Sequence, residues 1–385
     1  MADTHLVHGM GTGLTAPSWP PIRREEAEAI LAMFPAAGVL ERLEWHSPRP
    51  FSSATLARTS TGDVFLKRHH RRLRTPAQLA DEHAFMAHLA TRGRAVAQPM
   101  RTTAGATALA EGEWTWEVHR KAAGRDLYRD RHSWTPFLDL AHAHAAGAEL
   151  ARLHIAAEGF SAPARPRQPL VSSFTILPAD DPLAAAEAYV AARPALAGFL
   201  AGKAWRADLA RLFAALGAEE LAPALSAQPP LWTHNDWHPS NLLWDEAGGV
   251  ATIFDFGLAD RTCALHDLAT ALERTAIRWL ELDAGPDAAI AEPDAARALL
   301  AGYASVRPLG DEALALLTRL LPLVHVEFAL SEADYFRGVL GRDADADLAW
   351  QGYLVGHAEW FLSPAGQSLL EAIGPDPAER RRRLP

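Results

Sequence analysis

One segment constrains this chain more than any other: the run LWTHNDWHPSNLLWDEAGGVATIFDFG, from Leu231 to Gly257. A polar loop leads into a short apolar run, an acidic and glycine-rich turn follows, and a second apolar run ends the segment. Two apolar runs joined by such a turn are typical of a β-hairpin. Hairpin strands run antiparallel, so Asn241 at the start of one should lie beside Asp255 at the end of the other. Asp236, on the preceding loop, should lie close to both.

These three side chains form a set suited to phosphoryl transfer. Mg²⁺ prefers oxygen ligands and keeps substrate phosphates in its remaining positions. We therefore predict that Asn241 and Asp255 are metal ligands. A separate carboxylate must orient the acceptor hydroxyl and take its proton. Asp236 is the candidate for this catalytic role.

The same segment carries a family resemblance. The motif HNDWHPSN followed by IFDFG resembles the catalytic loop and metal-binding loop of the protein-kinase-like fold. Its histidine-first form resembles the aminoglycoside phosphotransferase and choline kinase superfamily, over roughly Leu40 to Trp360. The resemblance implies an α+β, two-lobed protein-kinase-like fold, with a small β-rich N-lobe and a larger helical C-lobe. It also implies ATP and Mg²⁺ as cofactors and a small-molecule hydroxyl as acceptor.

Further site residues follow from the resemblance. Lys67, at the end of a strand, matches the lysine that holds the α- and β-phosphates of ATP. Glu82, on the following helix, matches its ion-pair partner. The strand that contains Glu117 and His119 matches the hinge, whose backbone would hold the adenine edge. Leu243, just past the catalytic loop, would form the floor beneath the base.

The sequence departs from protein kinases in the loop that covers the ATP phosphates. No glycine-rich motif is present, and residues 50–54 read Pro-Phe-Ser-Ser-Ala. Ser52 and Ser53 are the candidates for contacts to the β-phosphate. The APE motif of regulated protein kinases is also missing, which favours a small-molecule kinase. A stress-response-type Ser/Thr protein kinase and a catalytically silent binding protein of the same fold are the alternatives.

Three residues near the catalytic segment have two interpretations each. Asp267 resembles the family aspartate that braces the catalytic loop, or it simply caps the helix that follows, and the two roles are compatible. His234 is expected to orient the loop rather than carry a proton. Trp237 either stacks on a substrate or packs in the core.

The pattern of elements divides the chain into three parts. Residues 1–22 are expected to form an N-terminal extension, residues 23–120 a nucleotide-binding N-lobe, and residues 121–385 a helical C-lobe with the acceptor site. One helix start is well marked: Thr75 precedes Pro76, and Gln78 completes a capping box. Residues 95–100 are expected to form one of the short strands before the hinge.

The charge distribution bears on partners. The net charge is −10, which argues against a nucleic-acid binder. The basic run KRHHRRLR, from Lys67 to Arg74, is too short a footprint for RNA on an acidic chain.

Acidic residues outnumber basic ones between Gly257 and Trp360, so clustered acids there could attract an amine-bearing acceptor such as an amino sugar, amino alcohol or homoserine-like compound. The alternative is that they only solvate helix faces. The candidates are Asp260, Glu273, Glu327, Glu332 and Asp334.

Cysteine usage and hydropathy suggest a location. The single cysteine, Cys263, cannot form an intrachain disulfide, which fits a reducing compartment. The first residues carry no apolar core of a secretory signal, and no uninterrupted apolar run approaches the length of a membrane span. We therefore expect a cytoplasmic enzyme without membrane or nucleic-acid partners; no oligomeric state is predicted.

Overall fold

An antiparallel sheet of five strands forms the core of the N-lobe. The computed structural model describes residues 5–165, 168–284 and 289–375. The sheet has the order β3-β4-β5-β7-β6, so that β5, which carries Lys67, pairs with β7. A short N-terminal hairpin, two helices and this sheet make up the lobe: β1 (Val7–His8), β2 (Leu14–Thr15), α1 (Arg24–Leu31), β3 (Leu40–His46), β4 (Ser53–Thr59), β5 (Gly62–His70), α2 (Pro76–Thr91), β6 (Ala108–Glu111) and β7 (Trp114–Arg120).

Helix α2 begins as the sequence predicts. The Thr75 side chain accepts a hydrogen bond from the backbone N–H of Gln78, and the Gln78 side chain accepts one from the backbone N–H of Thr75. This reciprocal capping box satisfies two N–H groups that a helix start leaves without partners. The helix buries Leu79 and Phe85 against the rest of the protein.

The C-lobe is mostly helical, as the resemblance implies. Its strands form two separate pairs, β8 with β11 and β9 with β10, in which all neighbours are antiparallel. The elements are α3 (Leu140–Ala157), α4 (Pro182–Ala191), α5 (Pro194–Leu200), α6 (Trp205–Leu216), α7 (Ala218–Ser226), β8 (Pro230–Thr233), β9 (Leu242–Trp244), β10 (Val250–Ile253), β11 (Asp260–Cys263), α8 (Ala264–Thr275), α9 (Pro293–Val306), α10 (Asp311–Leu320), α11 (Val326–Tyr335), α12 (Asp343–Asp347), α13 (Gly356–Leu362) and α14 (Pro364–Ile373).

Two glycines allow α3 and α9 to pack backbone to backbone. A Cβ atom on Gly147 would lie 1.9 Å from the carbonyl oxygen of Leu299, and one on Gly302 would lie 1.9 Å from that of His144. Any larger residue would force the helices apart. Helix α3 also carries His154, which hydrogen-bonds Asp267 beside the catalytic loop.

Residues 95–100 are not a regular strand, contrary to the prediction. Val96 bridges Ile253 of β10, while Pro99 bridges His119 of β7. The segment therefore divides its backbone bonds between the two lobes, and Pro99 has no N–H to continue a ladder. Ala97 donates to the carbonyl of Ile253 at 3.0 Å, which ties the catalytic hairpin to the N-lobe.

One helical stretch, Asp311–Leu340, is long and apolar enough by composition to cross a membrane. It spans 30 residues with a mean hydropathy of 1.6, and 67% of its apolar window is buried inside the protein. A core helix passes the same test of length and composition. The burial favours a core helix, because a spanning helix would present its apolar surface to lipid.

Candidate active site

The catalytic loop is held by Asp267 of α8. The two carboxylate oxygens of Asp267 accept the backbone N–H groups of His234 and Asn235, at 3.0 and 2.8 Å. His154 of α3 also hydrogen-bonds Asp267, at 3.0 Å. Burial alone would raise the pKa of Asp267, but His154 and the loop amide keep it below its ordinary value. The bracing interpretation is confirmed; the helix is capped by Cys263 instead.

The loop turns sharply so that Asp236 faces outward. Asn235 has a φ of 57°, in the left-handed region that asparagine tolerates better than most residues. The Nε2 of His234 lies 3.0 Å from the carbonyl oxygen of Phe254, which links the loop to the end of β10. Trp237 is fully buried, so it packs in the core rather than stacking on a substrate.

Three side chains surround the Asp236 carboxylate. Its Oδ1 forms an ion pair with Arg274 of α8 and lies 3.3 Å from Nε2 of His238. Its Oδ2 accepts a hydrogen bond from Nδ2 of Asn241 at 3.0 Å. Burial lowers the pKa of His238 to about 3, so this imidazole is neutral and can donate a proton to only one partner. Asp236 is thus fixed in orientation before any acceptor binds.

The hairpin β9–β10 brings the two expected metal ligands to one place. The backbone N–H of Phe254 donates to the carbonyl of Asn241 at 3.1 Å, so Asp255 follows directly beside Asn241. Asp255 has a φ of 56°, which turns its side chain toward Lys67. The amide nitrogen of Asn241 is engaged by Asp236, so its carbonyl oxygen is the atom left to act as a ligand. A carboxylate and an amide oxygen at one point fit the preference of Mg²⁺.

Lys67 does not pair with Glu82, contrary to the prediction. Its Nζ lies 2.9 Å from Oδ1 of Asp255, whereas Glu82 forms a buried ion pair with Arg165, also at 2.9 Å. Arg165, from a distant loop, pairs with Glu82, so the partner of Lys67 is Asp255. Glu82 still lines the same cavity as Lys67.

Glu117 is not part of a hinge, contrary to the prediction. It lies in the middle of the sheet, opposite both Lys67 and Ala108, where its backbone takes part in the ladder. Its buried carboxylate contacts Nε2 of His69, His83 and His119 at 2.8–2.9 Å. Burial opposes its charge, but the three histidines hold the pKa of Glu117 well below the ordinary value.

The ligand atoms of His83, Glu117 and His119 lie within 4.8 Å of one another, close enough for a metal ion. The Nε2 atoms of both histidines already hydrogen-bond the Glu117 carboxylate, and the ammonium of Lys67 lies near that carboxylate. The arrangement serves to bury the carboxylate. Arg120, the last residue of β7, and the two residues after it line the same cavity as Lys67 and Glu82.

The two serines expected at the phosphates differ in position. The Ser53 hydroxyl donates to the carbonyl of Pro20 at 2.6 Å and is buried, so it faces away from the site and the prediction is wrong for this residue. Ser53 is the first residue of β4, whereas Ser52 still belongs to the loop before the strand. Ser52 lies in the cleft.

Two cavities meet at the catalytic segment. The first, called the N-lobe cavity, lies under the sheet and is lined by Leu56, Phe65, Met86, His119 and Leu243 among others. The second, called the C-lobe cavity, contains Asp236, His8, Trp134, Phe328 and Glu332 among others. Within the described parts of the chain, five residues line both cavities: Arg49, Ser52, Lys67, Asn241 and Asp255. These five residues are called the junction below.

Of the five acids proposed to attract an amine, Glu332 alone lines the C-lobe cavity within the described ranges. Glu327 accepts four hydrogen bonds from the segment Ser173–Ile176, and Asp260 accepts two backbone N–H groups. Glu273 is buried against His357 at 3.0 Å. Three of the five acids, Asp260, Glu273 and Glu327, are therefore engaged by the protein itself.

The family follows from comparison with known proteins. The model of the phosphotransferase enzyme family, APH, matches residues 47–309. The chain belongs to this family. A homoserine kinase of Gluconacetobacter diazotrophicus is 30% identical over 284 residues, which cover 68% of this chain and 70% of that protein.

Solved structures share the fold of this phosphotransferase. A microcompartment-associated aminopropanol kinase has a TM-score of 0.59 at 16% identity, with 90% of this chain and 100% of that chain covered. An amicoumacin kinase in complex with AMP-PNP, Ca²⁺ and its antibiotic has a TM-score of 0.58 at 16% identity, with 90% and 97% covered. The two-lobed α+β kinase-like fold is thereby confirmed.

Sequence reasoning missed three residues of the phosphotransferase site: Arg49, His238 and Arg274. A signal existed for Arg274, which follows Asp267 by seven residues, two helical turns, and so shares the face that meets the catalytic loop. No local pattern distinguishes Arg49, because its position depends on how the lobes meet.

Proposed function

We propose that this phosphotransferase moves the γ-phosphoryl group of ATP to the hydroxyl of a small, amine-bearing molecule, with Mg²⁺ as the metal. The observation that carries the proposal is the junction. Lys67, Asn241 and Asp255 lie where a cavity floored by Leu243 opens into a cavity that contains Asp236. A nucleotide in the first and an acceptor in the second would meet at these residues.

Each residue has a defined part in this reaction. Asp236 accepts the proton of the acceptor hydroxyl, whose oxygen forms a bond to the γ-phosphorus while the bond from that phosphorus to the departing ADP oxygen breaks. Asn241 and Asp255 would hold Mg²⁺, which neutralises charge on the phosphates when bound. Lys67 neutralises phosphate charge from the other side. We further propose that residues 23–120 form the nucleotide lobe and that the adenine edge lies against the backbone from Arg120 to Ala122.

Glu332 supports an amine on the acceptor. Its side chain is buried, lines the C-lobe cavity, and within the described residues its Oε2 has no hydrogen-bond partner. Burying such a group without a partner is costly, so the position favours a cationic or hydrogen-bond-donating ligand. Phe328 and Trp134 line the same cavity, where the guanidinium of Arg274 lies over both rings, at 5.0 and 4.9 Å from their centroids. The names of two similar proteins, an aminopropanol kinase and a homoserine kinase, agree with this class of acceptor.

The lining of the C-lobe cavity favours small acceptors over proteins. The C-lobe cavity is lined on one side by the N-terminal segment, at His8 to Met10, and on its other sides by residues that include Trp134 and Leu280. A cavity bounded by several separate segments in this way suits a small molecule. The activity is proposed to be cytoplasmic, because a buried free thiol and ATP chemistry suit a reducing, ATP-supplied compartment.

The test is an acceptor screen with two readouts. Amino alcohols, homoserine, amino sugars and matched analogues without the amine are each incubated with Mg-ATP, and both ADP release and the phosphorylated product are measured. We expect an amine-bearing compound to be the best acceptor. At about pH 8.5, where the carboxyl is mostly ionised, Glu332→Gln should raise its KM about tenfold or more, since a hydrogen bond to a charged group is lost. Glu312→Gln, an exposed change on α10, is the matched control. A neutral best acceptor, with KM unmoved in Glu332→Gln, would refute the amine assignment.

A further inference from the structure

The loop between β3 and β4 occupies the place of a glycine-rich loop but cannot act as one. A glycine-rich loop covers phosphates with its backbone N–H groups. Here Pro48 and Pro50 have no N–H, and the N–H of Arg49 donates to the Ser47 hydroxyl at 3.3 Å. The loop therefore offers few backbone donors to a phosphate. It offers instead the Arg49 guanidinium, which lines both cavities.

The Arg49 side chain is held in place from two sides. Its Nη1 donates to Nδ1 of His8 at 3.1 Å and to the carbonyl of Arg131 at 3.0 Å. An arginine has no acceptor, so Nδ1 of His8 must accept. Burial lowers the pKa of His8 to about 4, with Arg49 adding to the effect, so the imidazole is neutral and its Nδ1 is available as an acceptor.

His8 lies outside the segment that matches the family, but its contacts fall within that segment. Its backbone N–H donates to the carbonyl of Pro48 at 2.8 Å, and its ring stacks on His132 at 4.2 Å between centroids. His8 belongs to the N-terminal hairpin, whereas the family match begins at residue 47. The N-terminal hairpin thus braces the loop that carries Arg49 against the C-lobe.

The Arg49 guanidinium keeps donors that a ligand could use. Within the part of the chain that the structure describes, Nη2 and Nε of Arg49 have no hydrogen-bond partner, and Asp255 and Asp126 are the carboxylates close enough to affect its charge. Arg49 is also the one arginine among the described residues that lines both cavities. A guanidinium there can donate two parallel hydrogen bonds to an anionic phosphoryl group.

We propose that Arg49 binds the γ-phosphoryl group of the nucleotide and stabilises it during transfer, in place of a glycine-rich loop, and that His8 is the positioning residue for Arg49. The inference rests on the proposed function. Arg49 forms and breaks no covalent bond: the phosphorus exchanges its bridging ADP oxygen for the acceptor oxygen, and the hydroxyl proton goes to Asp236. Arg49 neutralises charge on the oxygens that the phosphoryl group keeps.

The test compares two nucleotides that differ in the γ-phosphoryl group. Calorimetry measures the affinities of Mg-AMP-PNP and Mg-ADP for the full chain, the Arg49→Ala and Arg49→Lys variants, and the control Arg42→Ala, an exposed arginine on the same sheet. We expect Arg49→Ala to weaken AMP-PNP binding about tenfold or more while ADP binding changes less than about twofold. The kcat for the best acceptor should fall about 10²-fold. Arg42→Ala should change neither.

The role of His8 is tested by comparing the effects of its variants on kcat and AMP-PNP affinity with their effect on ADP affinity. His8→Ala should lower kcat and AMP-PNP affinity while the affinity for ADP stays unchanged, because only the orientation of Arg49 is lost. His8→Asn, whose amide oxygen can replace Nδ1 as an acceptor, should recover most of the kcat. If His8→Asn is as impaired as His8→Ala, the positioning role is overturned.

Different results separate this inference from the proposed function. Unchanged preference for AMP-PNP over ADP in both Arg49 variants, with kcat within about threefold of the full chain, would overturn the inference even if phosphotransfer is robust. Selective loss of AMP-PNP binding in Arg49→Ala, with no acceptor phosphorylated by the unaltered chain, would support the inference and contradict the proposed function. If Arg49→Ala fails to fold, Arg49→Lys decides, because the shorter fork-less cation keeps charge but loses the paired hydrogen bonds.

Discussion

At the junction, the ion pair between Lys67 and Asp255 sets the charge of the site. Burial alone would raise the pKa of Asp255, but Lys67 outweighs it and lowers that pKa to about 2. Burial would likewise lower the pKa of Lys67, but Asp255, Glu117 and Glu82 together raise it. Both groups therefore remain charged at every physiological pH. The site keeps a fixed ammonium for phosphates and a fixed carboxylate for a metal.

The shape of the Lys67 ammonium matters as well as its charge. In Lys67→Arg the positive charge stays, but a planar guanidinium cannot occupy the position of the compact ammonium beside Asp255. We expect kcat/KM for ATP to fall about tenfold or more, with little change in melting temperature. Lys203→Arg, at a C-lobe lysine paired with Asp347, is the matched control. Full activity in Lys67→Arg would contradict a specific role for the lysine.

Glu332 makes acceptor binding depend on pH. Burial raises the pKa of Glu332 to about 8, although Arg274 lowers it in part. The carboxyl is thus mostly protonated at pH 7 and ionised above about pH 8. Because a cationic acceptor binds the ionised form, its KM should fall as pH rises from about 6.5 to 8.5. Steady-state kinetics across this range should show the trend in the unaltered chain and not in Glu332→Gln; an identical trend in both would exclude Glu332 as its source.

At the scale of elements, local features were predictable and long-range ones were not. The β9–β10 hairpin and the Thr75 capping box depend on residues within a few positions of one another, so the sequence pattern predicted both. The partner of Glu82 could not be predicted, because Arg165 approaches from 83 residues away. The resemblance assigns Glu117 to the hinge, but strand β7 continues past this residue to Arg120.

The hairpin makes a direct prediction about nucleotide binding. Asp255→Ala removes the charged member of the pair of oxygen ligands, so the Mg²⁺-dependent part of ATP binding should be lost. Asn241→Ala should only weaken it, since the neutral ligand contributes less. Calorimetry with and without Mg²⁺ measures the Mg²⁺-dependent part of ATP binding. Asp245→Ala, on the turn of the same hairpin, serves as the control. Unchanged Mg-ATP affinity in Asp255→Ala would refute the metal site.

At the scale of the whole molecule, arginines of the basic run from Lys67 to Arg74 connect the N-lobe to the N-terminal segment and to the C-lobe. Arg68 forms an ion pair with Glu26 and donates to the carbonyl of Pro20. Arg72 donates to the carbonyl of Val339, and Arg74 to those of Leu170 and Gly257. These arginines bridge the N-lobe to its N-terminal segment and to the C-lobe. The sequence argues against RNA binding by this run, but it cannot predict the bridging, because the carbonyls come from distant segments.

The stability of the whole protein should decline as pH rises above neutrality. Burial raises the folded-state pKa of Glu273 and Glu332 to about 8, against about 4.3 for glutamate in an unfolded chain. Between these values the folded state binds protons that the unfolded state does not, so rising pH lowers the free energy of unfolding. Burial lowers the pKa of His266 and His325 to about 4, so below about pH 6.5 protonation of these histidines in the unfolded state opposes that trend.

Thermal unfolding between about pH 6.5 and 8.5 measures the predicted decline. Each fully buried carboxyl contributes up to about 1.4 kcal/mol per pH unit within its window. Glu332→Gln should flatten the slope of melting temperature against pH, whereas Glu359→Gln, at an exposed ion pair with Arg211, should leave it unchanged. A melting temperature that rises over this range would show that the two carboxyls are ionised in the folded protein.

The most direct test of phosphotransfer from ATP to a small-molecule hydroxyl compares the unaltered chain with Asp236→Asn. With Mg-ATP and the best acceptor from the screen, ADP and phosphorylated acceptor are both quantified over time. The unaltered chain should form them in equal amounts. Asp236→Asn should slow both about 10²-fold or more while its affinity for Mg-ATP stays within about threefold, because Asp236 acts on the acceptor hydroxyl. Near-normal turnover in Asp236→Asn, or ADP release without a phosphorylated acceptor in the unaltered chain, would contradict the assignment.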